Sequence, residues 1–212
     1  MRILELQKQY RVHTVRTKDP GLVETTQADN EDASDRRSRI VGSARAAFMR
    51  FGFERTSLAD IAVGAGVSRS ALYHYFPGKE DVLGAVVEEF HARILKAAGQ
   101  ALDKSQTLVG ALSGLLEVKF GQTLSLIAKS PHFVELVQAT HRLTGPANRA
   151  ADEAFHVLVV KALVRHGRPE EADAVADTLI AAAKGLMQSG EVHVSKAKFE
   201  ERLQRLIAWI AV

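Results

Sequence analysis

Residues 57–76 read SLADIAVGAGVSRSALYHYF, and the fold follows from how that stretch is punctuated. Leu58, Ile61, Ala62 and Ala65 recur at three- and four-residue steps, which places them on one face of a short helix. Ala62 is small, as a second helix crossing closely requires. Gly66 supplies the left-handed conformation that ends such a helix at little steric cost. Val67 plugs the turn, and the Ser68 hydroxyl stands where it can accept from a free backbone N–H of the next helix. Leu72 and Phe76, four apart, return to the core and leave Arg69, Ser70, Ala71, Tyr73, His74 and Tyr75 as outward candidates. Two short helices joined in this way form a helix-turn-helix, whose dominant use is to hold its second helix in the major groove of DNA. Any short αα-hairpin shares the apolar spacing. The small alanine, turn glycine, capping serine and neighbouring aromatics in combination point to the motif.

The charge balance supports this reading through its distribution. The whole chain carries a net charge of only +3. Residues 36–79 hold Arg36, Arg37, Arg39, Arg45, Arg50, Arg55, Arg69 and Lys79 against Glu54 and Asp60, a local +6. Neutralising phosphates supplies most sequence-independent affinity for DNA, so a basic patch over the motif is the expected footprint. A basic face without the motif would be an ordinary solvated surface.

At 212 residues the chain has room for one or two modest cores. No apolar run is long enough to span a membrane, and the start lacks the apolar stretch of a secretory signal, so the cytoplasm is the expected location. The absence of cysteine removes disulfides, thiolate zinc sites and a cysteine nucleophile together. Residues 1–34, polar and charged with Pro20-Gly21 in the middle, read as a disordered extension. A first helix is expected from Asp35 to Phe51, capped by Ser34 or Asp35, with Ile40, Ala44, Ala47 and Phe48 inward and Gly52 ending it. Pro77-Gly78 breaks the chain before a long helix from Lys79 to Lys104. Further helices are expected at about 106–129, 131–143, 147–166, 169–188 and 195–211, so the fold class is all-α. The division is a head over 35–78 and a helical body over 79–212.

The stretches RIVGSARAAFMRFGFERTSL (39–58) and ALYHYFPGKEDVLGAVV (71–87) extend the motif on both sides, and together the segment resembles the TetR family of bacterial transcriptional regulators. The resemblance covers about residues 39–87, including the Gly52-Phe53 turn and the aromatic-Phe-x-x-Lys-Glu link. It implies that the second motif helix enters the major groove while flanking groups grip the backbone. Arg69 has two roles open to it: its forked donors match a guanine edge, or they bind a phosphate, since the family often has a small residue there. Ser68, Ser70 and Ala71 fall near bases on the same reading. Tyr73, His74 and Tyr75 match family positions divided between phosphate and base contacts, with a core role open to Tyr75 and a solvent-facing one to His74. Thr56 sits where a hydroxyl and a helix N-terminus could hold a phosphate, and Lys79 resembles the family's backbone-contacting lysine. Arg36, Arg37 and Arg39 would reach phosphate or the minor groove from the preceding arm.

A recognition helix this short reads few base pairs, so specificity calls for a homodimer on a palindromic operator. Val175, Leu179, Ala182 and Leu186, and likewise Phe199, Leu203, Leu206 and Ile210, step by four, three and four. Helices packed nearly parallel or antiparallel use that spacing, and the family usually dimerises through a four-helix bundle, so both stripes are assigned to the dimer; an intrachain core is the alternative. Helix 106–129 is apolar nearly all round and is expected to be largely buried, with Gly110, Gly114 and Gly121 leaving room for close helix contacts or a small molecule. The resemblance implies an effector cavity, for which Leu116, Phe120, Leu124, Phe133, Val137, His141, Phe155 and Met187 are candidates. A mostly apolar or weakly polar effector is expected to release the protein from DNA, with the Lys79–Lys104 helix as lever.

An enzyme is the rival reading, but the eight histidines show no paired metal-ligand spacing. There is also no phosphate loop, dinucleotide glycine pattern or nucleophile elbow. Neither a metal nor a cofactor is expected. A helical adaptor without regulated DNA release is the other rival. The sequence does not choose between repression and activation.

Overall fold

The computed structural model describes residues 27–188 and 195–210, and among these every regular element is helical. The chain divides into two compact units, Met1–Ser34 and Asp35–Val212, and every contact below lies within the second. The expected disorder of residues 1–26 falls outside the described residues. From Gln27 onward the chain is helical, because QADNEDASD holds neither proline nor glycine to break it. Helix α1 (Gln27–Phe51) therefore starts eight residues before its predicted origin, and neither Ser34 nor Asp35 caps it. Asp35 instead pairs with Arg39 one turn on, at 3.4 Å.

The head core forms where the periodicity places it. Ile40, Ala44 and Phe48 are fully buried on α1, and the Phe53 ring lies 5.4 Å from that of Phe48. Helix α2 (Leu58–Ala65) is capped by a reciprocal pair: the Asp60 N–H donates to Ser57 Oγ at 3.2 Å, and the Ser57 N–H donates to the Asp60 carboxylate at 3.0 Å. The Ser57 hydroxyl, which donates to the Asp60 carboxylate at 2.6 Å, and after it the Ser57 N–H hold the Asp60 carboxyl below its usual 3.8. Gly66 ends α2 at φ 65°, and Ser68 caps α3 (Arg69–Tyr75) by accepting from the Ala71 N–H at 3.1 Å. Ala62 is buried in the head core, and α1 also approaches closely at Gly64. A Cβ on Gly64 would lie 2.4 Å from Ser43 Oγ, which itself donates to the Ile61 carbonyl at 2.9 Å.

Helix α4 (Lys79–Lys104) serves two cores, with Val82, Leu83, Val86 and Val87 in the head cluster and Ala98 and Leu102 in the body cluster. The predicted helix 106–129 is three pieces: α5 (Leu108–Leu116), a π-helical turn over Glu117–Gly121, and α6 (Gln122–Lys129). Its side chains are not buried all round, since Val109, Glu117 and Gln122 are exposed. Gly114 serves packing: its Cβ would sit 3.1 Å from that of Ala101 on α4. Helix α7 (Phe133–Leu143) leads through Thr144 into α8 (Gly145–Arg165). The Gly145-Pro146 pair, read as a break, forms the first turn of α8, where proline's missing N–H has no intrahelical partner to lose.

Helices α9 (Ala172–Gln188) and α10 (Lys196–Ile210) close the body. Here the structure corrects the dimer assignment at Leu179, Phe199 and Leu203. Leu179, Phe199 and Leu203 are buried in the chain's own core, and Val175, Leu186, Leu206 and Ile210 pack against it, with Ala182 half-buried. Both stripes serve the protomer interior because they face Phe120 and Phe155 across the body; the Phe120 ring lies 6.4 Å from Phe199 and 6.5 Å from Phe155. The exposed positions are those one residue earlier on α9, Ala174, Thr178, Ala181 and Gly185, and on α10 Ala197, Ala208 and Trp209. No helix among the described residues is long and apolar enough to cross a membrane.

Replacing Ser57 with Ala removes the α2 cap and should lower stability by about 1 kcal/mol, measured by denaturant unfolding. Asp60 contributes in the same sense at neutral pH. Its folded pKa is depressed, so its stabilisation is present above the ordinary carboxylate range and is lost as pH falls through the lowered value.

Candidate nucleic-acid interface and ligand cavity

The outward face of α3 is built by the residues its inward ones leave over. Leu72 and Phe76 are buried, while Arg69, Ser70, Tyr73 and His74 are exposed on one side of the helix. Tyr73 exposes 45% of its surface, a large ring held in solvent. Tyr75 is half-buried against the head core, and the His74 ring meets it edge-on at 5.6 Å. Ala71 is half-buried, and the exposed Ser68 and Ser70 hydroxyls are 3.0 Å apart. Arg36, Arg37 and Arg39 are all exposed on α1. The Arg37 guanidinium lies 5.3 Å over the Phe76 ring, which ties the basic middle of α1 to the end of α3. The structure thus gathers guanidinium, hydroxyl and aromatic groups on one surface of the head.

Two of the predicted phosphate ligands do other work. Thr56 is buried, and its hydroxyl donates to the Gly52 carbonyl at 2.7 Å, so its proton is spent within the turn. That removes Thr56 from the phosphate contacts; the capping residue beside it is Ser57. Lys79 is half-buried, and its ammonium donates to the carbonyls of Phe53 at 2.9 Å and Glu54 at 3.2 Å while lying 4.5 Å over the Phe53 ring. Lys79 is therefore first a staple that fixes the start of α4 on the Gly52–Glu54 turn.

The same turn is gripped from the other side by α7, which the sequence did not announce. The Glu54 N–H donates to the Glu135 carboxylate at 3.2 Å, and Arg142 lies 3.6 Å from Glu54. Arg55 contacts His132 at 3.1 Å, and the Ser130 hydroxyl donates to the Met49 carbonyl at 2.5 Å. These partners stand some eighty residues apart, so no local pattern could have revealed them.

A cavity of about 470 Å³ lies where α7 meets α1 and α4. Ala46 and Met49 of α1 line it, with Leu83, Val86, Val87 and Phe90 of α4. Phe133, Leu136, Val137, Thr140 and His141 of α7 form a further wall, and Leu126 and Thr123 of α6 another. Asn148, Asp152, His91, Arg93 and Lys184 complete it, with Arg45. Such a volume, mostly apolar with a few polar groups, suits a small organic ligand. Of the predicted ligand residues, Phe133, Val137 and His141 line this cavity. Leu116, Phe120, Leu124 and Phe155 are body core, and Met187 packs against that core. They fill the space between α5, α8 and α10, so the cavity opens nearer the head than the sequence suggested.

Residues 40–86 match the family described as bacterial regulatory proteins, tetR family. The chain is 41% identical over 61 residues to the HTH-type transcriptional regulator TtgR of Pseudomonas putida, covering 29% of each protein. It is 39% identical over 69 residues to the HTH-type transcriptional regulator RutR of Escherichia coli, covering 32% of each. The match thus spans less than a third of the length of these relatives. At the level of fold the likeness is wider. A solved regulator of Mesorhizobium loti, described as a putative TetR-family protein, superposes over 84% of this chain and 95% of its own with a TM-score of 0.66 at 20% identity.

If Lys79 acts first as a staple, Lys79→Met should destabilise the DNA-free protein by roughly 1–3 kcal/mol through two lost charged hydrogen bonds. Denaturant unfolding without DNA checks this, since a pure phosphate ligand would leave that stability unchanged.

Proposed function

Because residues 40–86 match the family described as bacterial regulatory proteins, tetR family, we propose that the chain is a transcriptional regulator. On this reading it acts as a repressor that binds a palindromic operator as a homodimer and is released by a small effector. The observation that carries the reading is the exposed face of α3, with Arg69, Ser70, Tyr73 and His74 beside the basic middle of α1. Arg69 reads a base edge, and Ser70, Tyr73, His74 and the arginines at 36, 37 and 39 position the helix on the backbone. Neither an enzyme nor an adaptor without regulated DNA release explains why that face is left uncovered.

The homodimer forms through the open faces of α9 and α10. Ala174, Thr178, Ala181 and Gly185 are small enough to let two helices approach closely, and on α10 Trp209 is the most exposed large aromatic side chain. This surface replaces the two stripes that the protomer's own core consumes.

The effector occupies the cavity between head and body. Helix α7 supports that assignment because it lines the cavity with Phe133, Leu136 and Val137 while Glu135 holds the Gly52–Glu54 turn. Helix α4, already expected as the lever, lines the cavity too and begins at the Lys79 staple. A ligand that prefers one setting of these two helices lowers DNA affinity by its differential binding and no more.

Selection of bound sequences from random DNA should enrich a palindrome. Arg69→Ala should then weaken the selected site about tenfold while weakening random DNA less; equal losses would make Arg69 a phosphate contact, and failure to enrich any palindrome would overturn the reading. Ala181→Arg should convert the dimer to monomer in sedimentation, since a charge would be buried without a partner at the centre of the contact.

A further inference from the structure

The cavity has two unlike walls. Toward the head it is apolar, with Met49, Leu83, Val86, Phe90 and Leu136, and three of these, Leu83, Val86 and Leu136, belong to the head core. Toward α8 and α9 it is polar and cationic, with His91, Arg93, Asn148, Asp152 and Lys184. Building on the reading of this cavity as the effector site, we propose that it takes an amphipathic carboxylate. The ligand's apolar body lies against the first wall and its anion lies at the second, at Lys184.

The argument is one of charge complementarity. Arg45 lies 2.7 Å from Glu89 and Arg93 lies 3.8 Å from the same carboxylate oxygen, so two cations share one anion. Asp152, the one carboxylate lining the cavity, is held by Lys119 at 2.6 Å. Lys184, exposed where it lines the cavity, has no ion-pair partner among the described residues. The walls and their immediate partners therefore carry more positive than negative charge, and a ligand anion supplies what is missing.

His91, Asn148, Thr123 and Thr140 are engaged with protein partners and do not compete for this role. His91 Nε2 lies 2.9 Å from Asn148 Oδ1, and the Asn148 amide donates to the Thr140 carbonyl at 3.4 Å. Thr123 and Thr140 hydroxyls donate to the carbonyls of Lys119 and Val137. A cationic ligand would meet Lys184 and the two arginines and find both nearby carboxylates already paired. A neutral one would leave the surplus unanswered.

Calorimetric titration of the full chain without DNA, using decanoate, decanol and decyltrimethylammonium, separates these cases because the three share a tail and differ in charge. Decanoate should bind about tenfold or more tightly than decanol, and the cation weakest. Lys184→Met should abolish most of the preference for decanoate over decanol while leaving decanol binding unchanged, and Lys184→Arg should retain the preference. Absence of decanoate binding, equal affinity for acid and alcohol, preference for the cation, or a full preference surviving in Lys184→Met would each overturn the proposal. Failure of the regulatory reading would look different: decanoate would bind as expected and leave affinity for the selected palindrome unaltered.

Discussion

The turn at Gly52–Glu54 is the constraint on which the arrangement of the head depends. Gly52 takes φ 85°, a left-handed conformation, and a side chain there would also place its Cβ 2.7 Å from the Glu135 carboxylate. Glycine is thus required twice, by the backbone and by the neighbour. Its carbonyl accepts from Thr56, the next two accept from Lys79, and the Glu54 N–H donates to Glu135. Polar groups that would be expensive to leave unpaired are satisfied here by α4, by α7 and by the chain just before α2. The position of α3 follows, because α2 starts directly from this turn and Ser43 fixes its crossing over α1.

Much of the head was legible because its determinants are local. The αL glycine at 66, the Ser68 cap and the burial of Ile40, Phe48 and Leu72 each follow from side-chain chemistry within a few residues of the feature they control. Where the reading slipped, a neighbour in space decided. Thr56 and Ser57 are both plausible hydroxyls at a helix start, and the choice fell to Ser57 because the Gly52 carbonyl takes the Thr56 proton. Lys79 stands where a phosphate ligand would stand, yet two carbonyls from the preceding turn reach it first.

The body was legible only in outline. Four-three-four stripes on α9 and α10 report that a face is buried, and say nothing of whether the cover is the same chain or another copy. Leu179 and Phe199 show that here it is the same chain. The π turn at Glu117–Gly121 is likewise invisible as periodicity, since it shifts the phase of one rod partway along. Leu112, Leu115 and Leu116 before it face the body core; after it Leu124 remains in that core while Thr123 and Leu126 line the cavity. The Thr123 and Ser125 hydroxyls bond the carbonyls of Lys119 and Gly121, supplying donors where the i→i−4 ladder is interrupted.

Trp209 has a further consequence. It is the only indole in the sequence, and it stands 79% exposed on α10. Indole emission, excited beyond the tyrosine absorption band, therefore originates at one place, in contact with water in the isolated protomer. Any surface that comes to lie on α10 moves that indole into a less polar medium and shifts its spectrum to the blue. The chain carries its own optical gauge of whether that flank is covered, with no label to perturb it.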